Sequence, residues 1–294
     1  MSETFDAEWL DQREGFDAVS RDFGLAELLA QALPARPRLL DLGAGTGSLF
    51  RWLAPIIHRA QAWTLVDADP RLIEEAFEAI AGFGAEIGLT LTFPSRRVLL
   101  LHAPGGAWRV EGLVADLRGS PANLPLVNAD AVVNSALCDL VSQEWVTRMA
   151  EAVAVRKIPF YAALNVTGRD VFSPPWPGDA EVARGFRRDQ ARDKGFGGRA
   201  LGPMAPAALA AAFAARGYSV ATAPSDWHIP RQAPGMAADL AEGHAGAAAR
   251  RERRAQPRIQ AWYEARTRQA MEGRLSVRVG HRDVLALPPG PATA

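Results

Sequence analysis

The sequence predicts an α/β fold, a seven-stranded and mostly parallel sheet with helices on both faces, and three observations predict it. Short runs that are apolar throughout alternate with helical periodicities, as parallel strands buried between helices require. A turn with glycines at 43, 45 and 47 joins the first of these strands to the helix that follows. A second strand ends at Asp67, and Asp69 with Pro70 then opens the next helix.

Each element has its own reason. Residues 5–34 read as a helical cover: Leu10, Phe16, Val19, Phe23, Leu25, Leu29 and Leu33 recur at helical spacing, and Pro34 stops the pattern. Residues 38–42 form the first strand and 48–53 a helix that ends before Pro55. Residues 63–66 form the second strand, after which Asp69 caps a helix with proline at its first position. Residues 98–102 and 108–114 flank Pro104, Gly105 and Gly106 as a hairpin ahead of the third strand, whose end is Ala115 and Asp116. Residues 131–134 and 158–166 supply the fourth and fifth strands, with a helix over 143–155 between them.

The segment 172–203 is rich in Pro, Gly, Arg and Asp without a clean period, so it reads as a loop or lid. A helix over 206–216, stopped by Gly217, leads into a sixth strand at 218–222. Two helical stretches broken at Pro257 make an insertion over 232–272. The alternation at 275–279 predicts the last strand, antiparallel, and 288–294 reads as a frayed tail. The whole, residues 1–294, reads as a single domain.

Composition narrows the function. A chain of 294 residues, 48% hydrophobic, buries a sizeable core. Its 33 basic residues balance 33 acidic ones, which argues against a nucleic-acid tracker or a binder of acidic membranes. Cys138 is the single cysteine, so no intramolecular disulfide forms. The acidic N-terminal stretch has no apolar core of a signal peptide, and no run approaches the roughly 20 apolar residues of a membrane helix. The expected location is cytoplasmic.

The chemistry concentrates in LLDLGAGTGSL, residues 39–49. Glycines there let the backbone adopt positive φ and approach a ligand, and the helix behind them presents free N–H groups. A dinucleotide fingerprint needs glycine at 48, where this chain has Ser48. Asp41, at the strand end, repels phosphate but suits an ammonium or sulfonium. Asp67, 20 residues after Gly47, is placed to accept hydrogen bonds from ribose hydroxyls, and Asp116 to accept one from an adenine amino group.

The blocks DLGAGTG, LVDADPRLI, VADL and DAVVNSALCDLV resemble the class I methyltransferases that use S-adenosyl-L-methionine, over residues 38–165. WLDQREGFDAVSR and SALCDLVSQEW are similar to an uncharacterised bacterial small-molecule branch. The resemblance implies a Rossmann-like methyltransferase fold, that cofactor, and a cofactor set of Asp41, Gly43, Ala44, Gly45, Gly47, Asp67, Ala68, Asp116, Leu117, Asn134 and Ser135. It implies methyl transfer to a small molecule, with no nucleic acid, metal or membrane partner expected; the acceptor atom and the oligomeric state stay open.

No residue stands out as a catalytic base. Asn134 and Asp139 beyond the fourth strand and His228 after the sixth are the candidates for catalysis. Arg13, Tyr161, Asn165, Arg188, Arg192 and Lys194 are candidates for the acceptor, which is expected to be anionic because arginines gather both in the lid segment and along Arg13, Asp17 and Arg21. Two other readings remain. One is a nucleic-acid amino-methyltransferase, suggested by SPPW at 173–176, although that motif belongs after the fourth strand and here follows the fifth. The other is a non-catalytic partner that binds the cofactor without consuming it.

Overall fold

The computed structural model describes residues 7–290, so the outer ends of the expected N-terminal cover and of the C-terminal tail lie outside the described residues. The first half of the chain runs α1 (Ala7–Ser20), α2 (Phe23–Ala32), β1 (Arg38–Leu42), α3 (Ser48–Ile57), β2 (Gln61–Asp67), α4 (Pro70–Glu86), β3 (Thr90–Ser95), β4 (Val98–Ala103), β5 (Gly106–Val114) and β6 (Ala131–Ser135). It continues through α5 (Gln143–Arg156), β7 (Phe160–Val166), β8 (Val171–Ser173), α6 (Asp179–Gln190), α7 (Ala205–Ala214) and β9 (Ser219–Pro224). The last elements are β10 (Trp227–Ile229), α8 (Pro234–Arg251), α9 (Gln256–Met271), β11 (Ser276–Val279) and β12 (His281–Leu287). Among the described residues no helix is long and apolar enough to cross a membrane.

Three of the helices start where short polar side chains take up free N–H groups. Asp22 accepts from Leu25 N at α2, Asp69 from Arg71 N at α4, and Ser142 from Trp145 N at α5. α3 has no such cap: Gly47 precedes it in the left-handed region, which leaves its first N–H groups facing the glycine turn.

The main sheet has nine strands, in the order β3-β4-β5-β2-β1-β6-β7-β12-β9, and not seven. β5, β2, β1, β6 and β7 run parallel, and β12 lies antiparallel between β7 and β9. The surplus is the β3-β4 hairpin beyond β5. β3 is an exposed edge strand, partly polar, with no buried face to impose a period. β5 pairs both with β4 and with β2, so the expected hairpin arm is itself the third parallel strand.

The expected last strand at 275–279 is also corrected. β11 joins a separate three-stranded sheet between β10 and β8, and the antiparallel strand of the main sheet is β12. Arg282 and Asp283 interrupt its short apolar run. The register shifts between Arg282 and Val284, and at that irregularity Asp283 is fully buried, taking Leu164 N at 2.7 Å, Asp22 N at 2.9 Å and the Tyr161 hydroxyl at 3.0 Å.

The lid expected at 172–203 contains a helix, α6, with acids in its first turn and arginines in its last, as the helix dipole favours. Its buried face is only Val182, Gly185 and Asp189, too narrow and too polar to register as a period. α6 packs against α8, while α9 packs against α8 in turn. Contact is close because Gly185 has no side chain: a Cβ there would stand 2.8 Å from both Cα and Cβ of Ala248. Two apolar clusters flank the sheet, one around Phe50, Trp63 and Leu39, the other around Leu40, Trp145 and Phe160.

Gly185→Val should therefore force α6 and α8 apart, with a loss of about 1–3 kcal/mol as for other overpacked contacts. Chemical denaturation should show it, and a variant as stable as the parent would mean that the two helices separate without cost.

Candidate functional site

Strand β1 carries Asp41 to the point where the connections diverge, towards β2 on one side and β6 on the other, the usual position of a ligand crevice in such sheets. The turn that follows is left-handed at each glycine, with φ of 65° at Gly43, 54° at Gly45 and 81° at Gly47. Asp67, at the end of β2, closes the crevice from the side: Gly45 N donates to one of its oxygens and Asp69 N to the other, each at 3.0 Å. Burial nevertheless pushes the Asp67 carboxyl above its ordinary range.

Asp41 is the anomaly. It is 1% exposed, and neither of its carboxylate oxygens has a hydrogen-bond partner. Burial pushes its pKa from 3.8 up to about 8, with the positive charge of Arg21 working downward and the negative charge of Asp67 adding to the rise. A buried carboxylate without donors is costly to keep, and a cation placed beside it removes that cost.

Helix α1 roofs this floor. Leu10, Arg13 and Asp17 reach the glycine turn, and with Asp41, Ser135 and Ala136 they line a cavity of about 50 Å³. Arg13 bonds Asp17 at 3.2 Å and lies over the Trp227 ring, 4.8 Å from its centre. Arg21, also buried, donates to Ser48 Oγ at 2.8 Å and Ser135 Oγ at 3.1 Å. Pockets that enclose small ligands measure roughly 300–1,000 Å³. A nucleoside-sized ligand therefore needs α1 to shift outward.

The structure brings together Asp41, Gly43, Ala44, Gly45, Gly47, Asp67, Ser135 and Arg13 around one crevice. Asp116 lies at the end of β5, exposed, where it caps a short 3-10 turn and is held below its ordinary range by hydrogen bonds from Arg118. Leu117 beside it is buried and Ala68 is exposed.

Other candidates sit elsewhere or are already engaged. Asn134 is fully buried, accepting from the Cys138 thiol at 3.3 Å. Tyr161 is bonded to Asp283, and the Asn165 amide to Ala162 O and Arg282 O. Asp139 is buried, its carbonyl accepting from Gly202 N. His228 is exposed on β10 and lines a shallow cleft with Arg278 and Ser276, away from the glycine turn. In and after α6, Arg188 pairs with Glu252 and Arg192 with Asp189, while Lys194 is half-buried in the segment that follows.

Reasoning from sequence read Arg21 and Asp17 as part of a charged stripe and attached no role to Ala136. Their signal was present in the i,i+4 spacing of Arg13, Asp17 and Arg21. Ala136 carries none: its φ of 53° is visible only in the structure, beside Leu164 at 55° in the neighbouring strand. Side chains in that region cost about 1–3 kcal/mol and gather at ligand sites.

No protein-family model matches the chain, and no curated protein matches it. Solved structures that it resembles include the cyclopropane synthase MmaA2 from Mycobacterium tuberculosis, at 12% identity and TM-score 0.43, covering 90% of this chain and 83% of that one. Geranyl diphosphate methyltransferase in complex with GPP and sinefungin follows at 10% identity and TM-score 0.42, covering 90% and 77%. The [4+2]-cyclase SpnF stands at 14% and 0.40, covering 91% and 81%. At these values the likeness carries no reading of the reaction.

The buried carboxyl predicts a pH signature. Its folded value near 8 exceeds its ordinary 3.8, so the folded state retains a proton that the unfolded chain gives up between those limits. Its contribution to stability is thus lost as pH rises from about 4 to 8 and stays lost above. Asp41→Asn removes the ionisation, and its melting temperature should exceed the parent's by about 4 °C or more at pH 9 and by much less at pH 5. An equal difference at both values would show that Asp41 does not titrate abnormally.

Proposed function

We propose that this protein is an S-adenosylmethionine-dependent methyltransferase acting on a small molecule. The observation that carries the reading is the unpartnered Asp41 carboxylate at the base of a three-glycine turn, which calls for a ligand bearing a cation beside an uncluttered backbone. A pyrophosphate ligand would be repelled there.

The residues divide the ligand between them. Asp41 receives the ammonium group of the amino-acid part, and the backbone at Gly43 and Gly45 lies against that part. Asp67 takes the ribose hydroxyls, exchanging part of its hold on Gly45 N for them. Asp116 faces the adenine amino group, with Leu117 giving the ring an apolar surface. The bound sulfonium supplies an activated methyl group and its own leaving group. The chain therefore needs only to align the acceptor, exclude water and remove a proton where the acceptor carries one. α1, with Leu10 and Arg13, performs the exclusion.

The nucleic-acid reading has less support. The Pro174 carbonyl of the SPPW segment already accepts from the buried Arg266 at 2.7 Å.

Calorimetry tests the proposal. S-adenosylmethionine should bind at micromolar concentration, and Asp67→Ala should weaken it by about 1.5–3 kcal/mol for each charged hydrogen bond lost. Gly45→Val should abolish binding while circular dichroism stays that of a folded protein, because its Cβ would stand 3.1 Å from Leu10 Cδ1 in a left-handed turn. Binding of NADH in preference, or unchanged affinity in both variants, would overturn the assignment. Release of S-adenosylhomocysteine from mixtures of small metabolites separates an enzyme from a passive binder.

A further inference from the structure

A second cavity, of about 190 Å³, lies beyond the carboxyl end of β7, between the β7–β8 connection and helices α6, α8 and α9. Its walls are aromatic. Phe172 stands edge-on to Trp262 at 5.2 Å and to His244 at 5.0 Å, and Phe186 stacks on His244 at 3.9 Å.

The polar groups in these walls are already satisfied. His244 Nε2 lies 3.0 Å from Asp170 and its Nδ1 2.7 Å from the Leu240 carbonyl, so the ring is fully engaged and is no free base. Asp170 also accepts from Gly280 N, and its carboxyl stays below the ordinary range: burial works to raise it, but the His244 hydrogen bond and charge prevail. Such a lining presents no buried donor or acceptor to an incoming molecule and therefore selects an apolar body. Flat rings suit it best, since aromatic faces and edges pack well against one another.

One wall residue differs. Arg187 lies at the exposed mouth, and its guanidinium has no hydrogen bond or ion pair among the described residues. Its neighbours on α6 are both paired, Arg184 with Glu181 and Glu252, and Arg188 with Glu252. An arginine left open at the rim of an apolar box is suited to a carboxylate, which it grips through two parallel hydrogen bonds.

A chain of contacts links this cavity to the crevice of Asp41: Asp170 accepts from Gly280 N at 3.2 Å, the His281 ring lies 5.0 Å from that of Trp227, and Arg13 lies over the Trp227 ring. Thr167 N bonds Gly280 O, and the next residue, His281, is buried with its pKa pushed down to about 4. Burial is the main cause of that shift.

We propose that this cavity binds a small aromatic carboxylate, its ring among Phe172, Phe186 and Trp262 and its carboxylate on Arg187. The site stands without the cofactor reading above.

Saturation-transfer NMR on the full chain, with benzoate, phenylacetate and indole-3-acetate as probes and benzyl alcohol and benzylamine as controls, tests the site. A carboxylate should bind with submillimolar Kd. Arg187→Gln should weaken it tenfold or more and benzyl alcohol by less than twofold, and Ala183→Phe, which fills the cavity, should remove both. S-adenosylmethionine affinity, measured by calorimetry on the same variants, should stay within twofold of the parent. If no carboxylate binds, or if the amine or alcohol binds as well as the acids, or if Arg187→Gln leaves binding unchanged, the proposed site is wrong whatever the cofactor result. If the carboxylate binds as expected and S-adenosylmethionine does not, the site stands and the cofactor reading falls.

Discussion

An ionisable group without a partner, enclosed at the centre of a parallel sheet, governs the arrangement of this molecule. Asp41 can sit where it does only because β1 lies between β2 and β6, shielded from water by strands on both sides and by α1 above. The glycine turn, the acid at the end of β2 and the arginine from α1 are then grouped by the sheet itself: they stand at adjacent carboxyl ends, and no long loop has to deliver them. The free protein carries the unfavourable charge, or suppresses it by holding a proton, in return for a site already shaped for a cation.

Positive charge elsewhere is managed differently. Asp189 is buried against Arg250, Arg251 and Arg192, Asp179 against Arg266, and Glu252 and Glu181 hold further arginines from α6 and α9. In a chain with only two lysines, these planar side chains knit the helical layer together. The basic content that suggested an anion-binding lid is mostly spent on holding helices together. Against that background the single unpaired guanidinium on α6, at Arg187, acquires its meaning.

The legible parts of the sequence were those under strong local constraint. The glycine turn, the Asp69-Pro70 helix start and four of the five central strands announce themselves because backbone φ, capping and burial on both faces each leave a mark at short range. What stayed hidden depends on distant partners. α6 shows little period because its buried face uses Gly185 and a paired Asp189 in place of apolar residues. β12 was obscured because Asp283 looks like a breaker until its three donors are brought to it from three separate segments. Likewise, Arg13 was legible as a candidate for the acceptor, but the setting of its pair with Asp17 over the Trp227 ring was not, since Trp227 is brought to it from a distant segment.

The same Asp283 carries a consequence for the order of assembly. Its bond to Asp22 N joins residues 261 positions apart, and that amide opens the junction between α1 and α2. During synthesis α1 and α2 emerge long before the carboxylate that anchors them is made. The roof of the crevice thus waits for β12 to enter between β7 and β9, and until then a nascent chain exposes its glycine turn to water.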